Sequence, residues 1–489
     1  MLCAAFSRSH LVLVLSALVA LPSCECGDSH DSTDPVDTQP SWDPARTVVV
    51  VTIDSLSPRI LMGESRDWDV APAIHEVFED SVLLPQVLTP AGTTRPALAS
   101  LLTGLYPQQH GARTNASDLR NGTTLMRRFE DAGYHTYGFT SNQCPIIQDG
   151  DVDEYYCTWN DELSGSHSLE ERDQFLLDEL NASLAQLPDD EPVFVWLHLN
   201  NVHHPFIADQ DRAEAFYGGA YSGFLNPSDD DMVAEVTLGN IDISADEQRY
   251  LEATYAAQLA TTDEQIDSLL DTLRDTGRYD DAIIVLGADH GEELAERLDH
   301  DYFWHGCSPY NSVLRVVYAV RAPGRIQGGQ VLDAWVGLTD LAPTIVQLAA
   351  AFDWEGKQAG ASLVPYFMGG AVPDAAVFSG RGTTAAVMIQ GDHKYLLSDT
   401  ESFAGCEPYS GTDLGYTSGR VELYDLSLDP DEEIDIVSSD TALANEMHTA
   451  LCEWMVQIGW VPRDQVDTNI LSVECQQWLC DAGSEYCAD

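Results

Sequence analysis

Residues 47–54 read TVVVVTID, a β-branched run that closes on an aspartate. A strand with one wetted face alternates apolar and polar side chains. Unbroken apolar character instead marks a strand covered on both faces. YHTYGFTS (134–141), VFVWLHLN (193–200), AIIVLGAD (282–289) and LRVVYAVR (314–321) have a similar texture, and helical patterns lie between them. The clearest opens on SADE (244–247), a Ser-x-x-Glu capping box, and stops at Gly277. Its apolar positions include Leu251, Leu259, Ile266, Leu270 and Leu273. This alternation predicts an α/β domain on a mainly parallel sheet flanked by helices. Ligands of such sheets gather beyond the carboxyl ends of the strands, where Asp54, His203 and Asp289 fall.

Further along, the texture shifts. AAVMIQGDHKYLLSD (385–399) and RVELYDLSLDPDEE (420–433) read as short strands and turns, with a cysteine-bearing tail behind them. The expected organisation is a catalytic domain over 46–380 and a smaller α+β subdomain over 381–489. No internal repeat is visible.

With 489 residues and 44% hydrophobic side chains, the chain has material for a large core. Its net charge is −57, and its only lysines are Lys357 and Lys394. Such a surface repels phosphate backbones, which argues against a nucleic-acid partner. The charge is spread along the chain, as in a solvated shell suited to an external or salty medium.

The first residues, MLCAAFSRSHLVLVLSALVALPSC, place Arg8 before an apolar run from Leu11 to Leu21 that is short for a membrane span. LPSC resembles a bacterial lipobox, so residues 1–23 are expected to be a lipoprotein signal peptide and Cys24 a lipid anchor. An ordinary secretory signal is the alternative. Residues 24–45 then form a polar tether, and the expected location is the bacterial cell envelope. Cysteine usage agrees with export: four disulfides are expected among the eight cysteines from Cys144 to Cys487. A zinc site in the C-terminal cysteines fits poorly, because no CxxC occurs there.

Four segments carry metal-type ligands at strand ends: Asp54, the GADHGEE stretch with Asp289 and His290, NNVHHPF with His203 and His204, and FWHGCSPY with His305. A fifth, PAGTTRPALASLLTG (90–104), sets Thr94 and Arg95 near the start of a helix with Pro96 in its first turn. A helix N-terminus suits a tetrahedral oxyanion. A threonine hydroxyl is a poor nucleophile unless a divalent metal lowers its proton affinity. Asp54, Asp289 and His290, with the Thr94 oxygen, are the expected ligands.

Here the chain resembles a known family. TTRPALASLLTGLYPQQHG is similar to the signature segment of sulfatases, metallohydrolases of the alkaline-phosphatase superfamily. VVVVTIDSL, HLNNVHHPF, GADHGEELAE, FWHG, VGLTDLAPTIVQLAA and VELYDLSLDPDEE resemble further family segments in the family's order, covering roughly residues 46–435. The resemblance implies a central sheet between helices, a small C-terminal sheet, and hydrolysis of sulfate or phosphate esters through a covalent intermediate. It also implies that the segment of Lys394 approaches the site. The residues themselves suggest His203 or His305 as the group that protonates the leaving oxygen or steadies the equatorial oxygens, and Arg95, beside the nucleophile, as an anion clamp or a solvent-facing first-turn residue.

Departures from the pattern bear on the substrate. The family signature begins Cys-x-Pro-Ser-Arg or Ser-x-Pro-Ser-Arg, and its first residue is oxidised to formylglycine. Here Thr94 holds that position, with Ala97 and Leu98 in place of Ser and Arg. Threonine cannot become that aldehyde, which favours phosphoester hydrolysis or transfer. A true sulfatase and a non-catalytic binding lipoprotein are the alternatives. Ser55 follows Asp54 where the family pairs two aspartates, and Asn201-Val202-His203 replaces Asp-Pro-His. One divalent ion is therefore expected, zinc or manganese before calcium or magnesium, with a second ion open near His203 and His305. The expected substrate is a small-molecule or envelope ester, and the membrane is met through the lipid anchor.

Overall fold

The continuous apolar runs become the middle of a sheet. The computed structural model describes residues 42–142, 144–146, 152–158, 167–237, 240–296, 303–306, 308–371, 375–381, 385–398 and 420–459. The main sheet has nine strands: β1 (Thr47–Ile53), β2 (Val82–Leu88), β3 (His135–Thr140), β4 (Glu154–Cys157), β5 (Val193–Leu199), β6 (Ile283–Ala288), β7 (Arg315–Arg321), β8 (Gln330–Val331) and β9 (Val336–Gly337). Their order is β8-β2-β7-β6-β1-β5-β3-β4, and β9 also pairs with β2. All pairings are parallel except those of β7 with β2 and β6.

Central position explains the composition of β1. Flanked by β5 and β6 and covered on both faces, it buries Val48, Val49, Val50 and Ile53 completely. Each such side chain contributes roughly 1.5–3 kcal/mol of burial. One strand breaks the apolar pattern: β2, VLLPQVL, holds Pro85, and its ladder with β7 slips between Leu84 and Val87. Proline has no N–H to give that ladder.

Five helices matter below: α1 (Thr94–Thr103), α2 (Leu169–Gln186), α3 (Ala245–Asp275), α4 (Leu341–Ala349) and α5 (Thr441–Gln457). The capping box starts α3 as its spacing predicts, with Ser244 Oγ accepting the Glu247 N–H and the Glu247 carboxylate accepting the Ser244 N–H. Leu251, Leu259 and Ile266 of α3, with Leu341 and Ile345 of α4, join the strand residues in one hydrophobic core. No helix of the described residues is long and apolar enough to cross a membrane.

The small sheet is antiparallel, ordered β10 (Val377–Arg381), β11 (Ala385–Gln390), β12 (His393–Ser398) and β13 (Arg420–Asp425). It starts at Val377, a few residues inside the span expected for the catalytic domain. Helix α5 covers it through Met447, Leu451 and Met455 against Met388, Tyr395 and Leu423. Cys157, the last residue of β4, forms a disulfide with Cys144. The signal, Cys24 and the tether as far as residue 41, with Cys307, Cys406, Cys475, Cys480 and Cys487, lie outside the described residues, whereas Ala45, the last residue of the expected tether, is buried in the core and donates its N–H to Ala349 O.

Candidate active site

Register builds the first half of the site. Ile53 of β1 pairs with Ala288 of β6, so the next residues, Asp54 and Asp289, leave the sheet side by side. The Asp54 N–H continues the ladder on the other flank, donating to Leu199 O at 2.8 Å. Asp289 Oδ1 accepts the N–H groups of Ser55 (3.2 Å) and His290 (2.8 Å). Asp54 accepts from Asn142 Nδ2 (3.1 Å) and Ser55 Oγ (3.0 Å). Gly291 turns the chain past the core, because a Cβ there would sit 2.1 Å from Ser312 O.

His290 completes a trio. One ligand atom each from Asp54, Asp289 and His290 lies within 4.8 Å of the others, all fully buried. Among the described residues no other three His, Cys, Asp or Glu side chains come so close. His290 Nδ1 faces the Gly291 carbonyl at 2.9 Å, which can only accept, so Nδ1 keeps its proton and, in the neutral ring, Nε2 presents a lone pair. That lone pair lies 3.3 Å from Asp289 Oδ2 and 3.6 Å from Asp54 Oδ1. Asp289 Oδ2 is buried with no hydrogen bond. Two carboxylates, a lone-pair imidazole and an orphaned oxygen are the donor set a divalent cation takes.

The electrostatics agree. Burial alone would raise Asp54, yet His203, His198 and His290 outweigh it and hold the carboxyl well below the usual range. Burial and the adjacent Asp54 charge push Asp289 well above it. Two acids side by side in a dry site do not both ionise readily without a positive charge between them.

Thr94 meets this trio from the other side. The N-cap of α1 is Thr93, whose side chain makes no capping bond, and Thr94 is the first helical residue. The Thr94 hydroxyl, expected among the ligands, faces the trio: its Oγ1 lies 3.4 Å from Asp54 Oδ2 and 3.4 Å from His290 Nε2. The Arg95 backbone N–H donates to Asn115 Oδ1 (3.0 Å) and its guanidinium to Ser117 O (3.3 Å).

His203 and His305 stand beside the trio. Their ring centroids are 4.8 Å apart, and the His305 ring is 4.4 Å from that of His290. His203 Nδ1 bonds the His204 carbonyl. His305 Nδ1 lies 3.0 Å from Glu292 and 3.3 Å from Ser55 Oγ. Burial pushes Glu292 up to about 8. Burial, His290 and His203 hold His305 well below the usual histidine range. The pair therefore favours its uncharged state, with one proton between Nδ1 and the carboxyl.

Sequence reasoning overlooked three members of this centre and read a fourth, Ser55, only as a missing carboxylate. Glu292 sits two residues beyond His290 and could have been read from the same stretch. His198, whose Nε2 is 3.6 Å from Asp54 Oδ2, showed only as one polar residue in an apolar strand. Asn142 had no local signal. Ser55 does more than omit a carboxylate: its φ is +58°, a region non-glycine residues rarely occupy. Four contacts hold it there: its N–H to Asp289, its hydroxyl to Asp54 and beside His305, and its carbonyl under Tyr255 OH at 2.7 Å.

Lys394, expected to approach the site, is set in the seam with the small sheet. It is fully buried, ion-paired with Glu432, and donates to Asn311 Oδ1 at 2.9 Å. A buried ammonium needs such a carboxylate, and contact with substrate would have to break the pair. A cavity of about 510 Å³ opens near that seam, lined by Arg59, Arg315, Trp335 and Glu432 among others, and no member of the trio lines it.

Comparison with known proteins agrees with this geometry. A family model described as Sulfatase matches residues 46–351. A choline-sulfatase of Rhizobium meliloti (strain 1021) is 22% identical over 371 residues, 66% of this chain and 71% of its own. The solved structure of BT4656 in complex with its substrate D-glucosamine-2-N,6-O-disulfate has a TM-score of 0.67 at 17% identity, covering 86% of this chain and 99% of that one. A phosphonate monoester hydrolase of Agrobacterium radiobacter has a TM-score of 0.62 at 17% identity, over 85% and 96% of the two chains. The family is metal-dependent, and the Asp54, Asp289 and His290 cluster offers such an ion a seat. The chain belongs to the sulfatase family and is a hydrolase of the alkaline-phosphatase superfamily.

Proposed function

We propose that the chain is an exported, lipid-anchored phosphoesterase in which Thr94 is the nucleophile, with phosphate esters preferred over sulfate esters. The observation that carries this reading is one buried secondary alcohol, Thr94 Oγ1, 3.4 Å from both Asp54 and His290 at the start of a ten-residue helix. Oxidising a secondary alcohol gives a ketone, so the aldehyde chemistry implied by Cys or Ser signatures is closed to it. The hydroxyl has to attack as an alcohol.

A divalent cation on Asp54, Asp289, His290 and the Thr94 oxygen would supply charge neutralisation and easier deprotonation of the hydroxyl, with zinc or manganese suited to the mixed donors. Thr94 Oγ1 attacks phosphorus in line and loses its proton to water, while the bond from phosphorus to the leaving oxygen breaks. The N–H groups at the start of α1 receive the non-bridging oxygens. His203 is half-buried beside His305, its Nδ1 bonds the His204 carbonyl, and its imidazole protonates the departing oxygen. His305 lies deeper, held by Glu292 and Ser55. Water then attacks the phospho-threonine, His203 takes the water's proton, and the Thr94 oxygen is released.

The test is turnover by the metal-loaded protein of nitrophenyl sulfate, nitrophenyl phosphate and bis(nitrophenyl) phosphate. The expected result is higher kcat/KM on a phosphate than on the sulfate. Sulfate turnover above both phosphates overturns the reading. For the anchor, Cys24→Ser is expected to move the protein from the membrane to the aqueous fraction, and unchanged partition refutes acylation there.

A further inference from the structure

Asp173 is a buried acid that this reaction leaves unused. It lies on α2 with no exposed surface, and burial pushes its carboxyl up to about 7. Burying an acid is costly unless hydrogen bonds offset the lost water. Its Oδ2 accepts the N–H groups of Asn200 (2.8 Å) and Asn201 (2.7 Å), the two residues just past β5. From the other side α3 grips the same turn. Gln258 Nε2 donates to Asn201 O (2.6 Å), and Asn201 Nδ2 donates to Gln258 O (3.1 Å). The His203 N–H then closes back on Asn200 O at 3.1 Å. Beyond His203 the chain stays buried at His204 and Phe206 and reaches the surface at Ile207, 56% exposed. The clamp acts on the short stretch from Asn200 to His203 that carries the imidazole.

We infer that Asp173 is a positioning residue for His203, holding the turn after β5 so that the ring meets the leaving oxygen. This rests on His203 being the leaving-group acid. A mispositioned acid penalises poor leaving groups and spares good ones, whereas general weakening of the fold does not discriminate between them.

Metal-loaded Asp173→Ala, Asp173→Asn and His203→Ala are assayed on nitrophenyl and unsubstituted phenyl phosphate, with metal content and melting temperature measured alongside. Asp173→Ala is expected to lose roughly tenfold or more in kcat/KM on the phenyl ester and under about threefold on the nitrophenyl ester. Its metal content stays at the wild-type level. Asp173→Asn, which keeps an acceptor, restores both rates. Equal loss on the two esters, or none, overturns the proposal. Lack of discrimination in His203→Ala removes the acid assignment itself and the proposal with it. If Asp173→Ala does not fold, Asn201→Ala loosens the α3 grip and carries the same expectation.

Discussion

Thr94→Ala separates catalysis from folding. The substitution removes one hydroxyl and one methyl from a side chain that is 1% exposed. The hydroxyl caps no helix, and its two polar contacts are both 3.4 Å, near the outer limit of a hydrogen bond. Losing them removes at most about 0.5 kcal/mol each. The methyl adds about 0.8 kcal/mol of burial, and alanine's helix propensity returns a few tenths. The net cost is about 1 kcal/mol, a shift of only a few degrees in Tm. Loss of the nucleophile, by contrast, lowers kcat on the order of 10³-fold or more. Three decades correspond to about 4 kcal/mol of transition-state stabilisation. The assay pairs steady-state rates with a thermal melt and with mass spectrometry of acid-quenched turnover mixtures. Wild-type protein is expected to show a phosphorylated peptide containing Thr94, and the variant none. Rates within about tenfold of wild type, or a labelled peptide elsewhere, would refute Thr94 as the attacking group.

Other perturbations probe the surroundings. Asp289→Asn removes the acid that burial and Asp54 push upward, so metal stoichiometry by elemental analysis is expected to fall with activity while the chelated protein melts no lower than wild type. A lower melt in chelator contradicts the proposed conflict between the two carboxylates. Asp173 is raised to about 7 in the folded protein, against about 3.9 unfolded. Its protonated form therefore favours folding, and that stability is lost as pH rises from about 4 through about 7. The gap in melting temperature between Asp173→Asn and wild type is expected to widen over that window; a constant gap contradicts the shift. With a net charge of −57, the melting temperature is expected to climb as sodium chloride rises from about 0.1 to about 1 M, where the screening length drops from about 10 to about 3 Å. No climb means that self-repulsion is not limiting stability.

Much of the site was legible in the chain because parallel sheets gather their strand ends. Asp54, Asp289 and His290 each follow a buried strand or its first turn residue, and register alone makes them neighbours. β1, β5 and β6 announce themselves because burial on both faces leaves no room for polar alternation, and α3 because its capping box lies within four residues. β2 was not legible, since Pro85 erodes its pattern and the bulge that accommodates it depends on β7.

Sequence alone was enough for the central strands, the long helix and the acidic and imidazole trio, since each depends on local periodicity or on a neighbour in the ladder. Tertiary structure alone decided that Ser55 sits in a left-handed conformation under four contacts and that Lys394 joins Glu432. It also decided that Glu292 holds His305. These outcomes are set by which donor finds which acceptor across a folded core. In a low-dielectric interior an unpaired charge or polar group is too costly to leave to local preference.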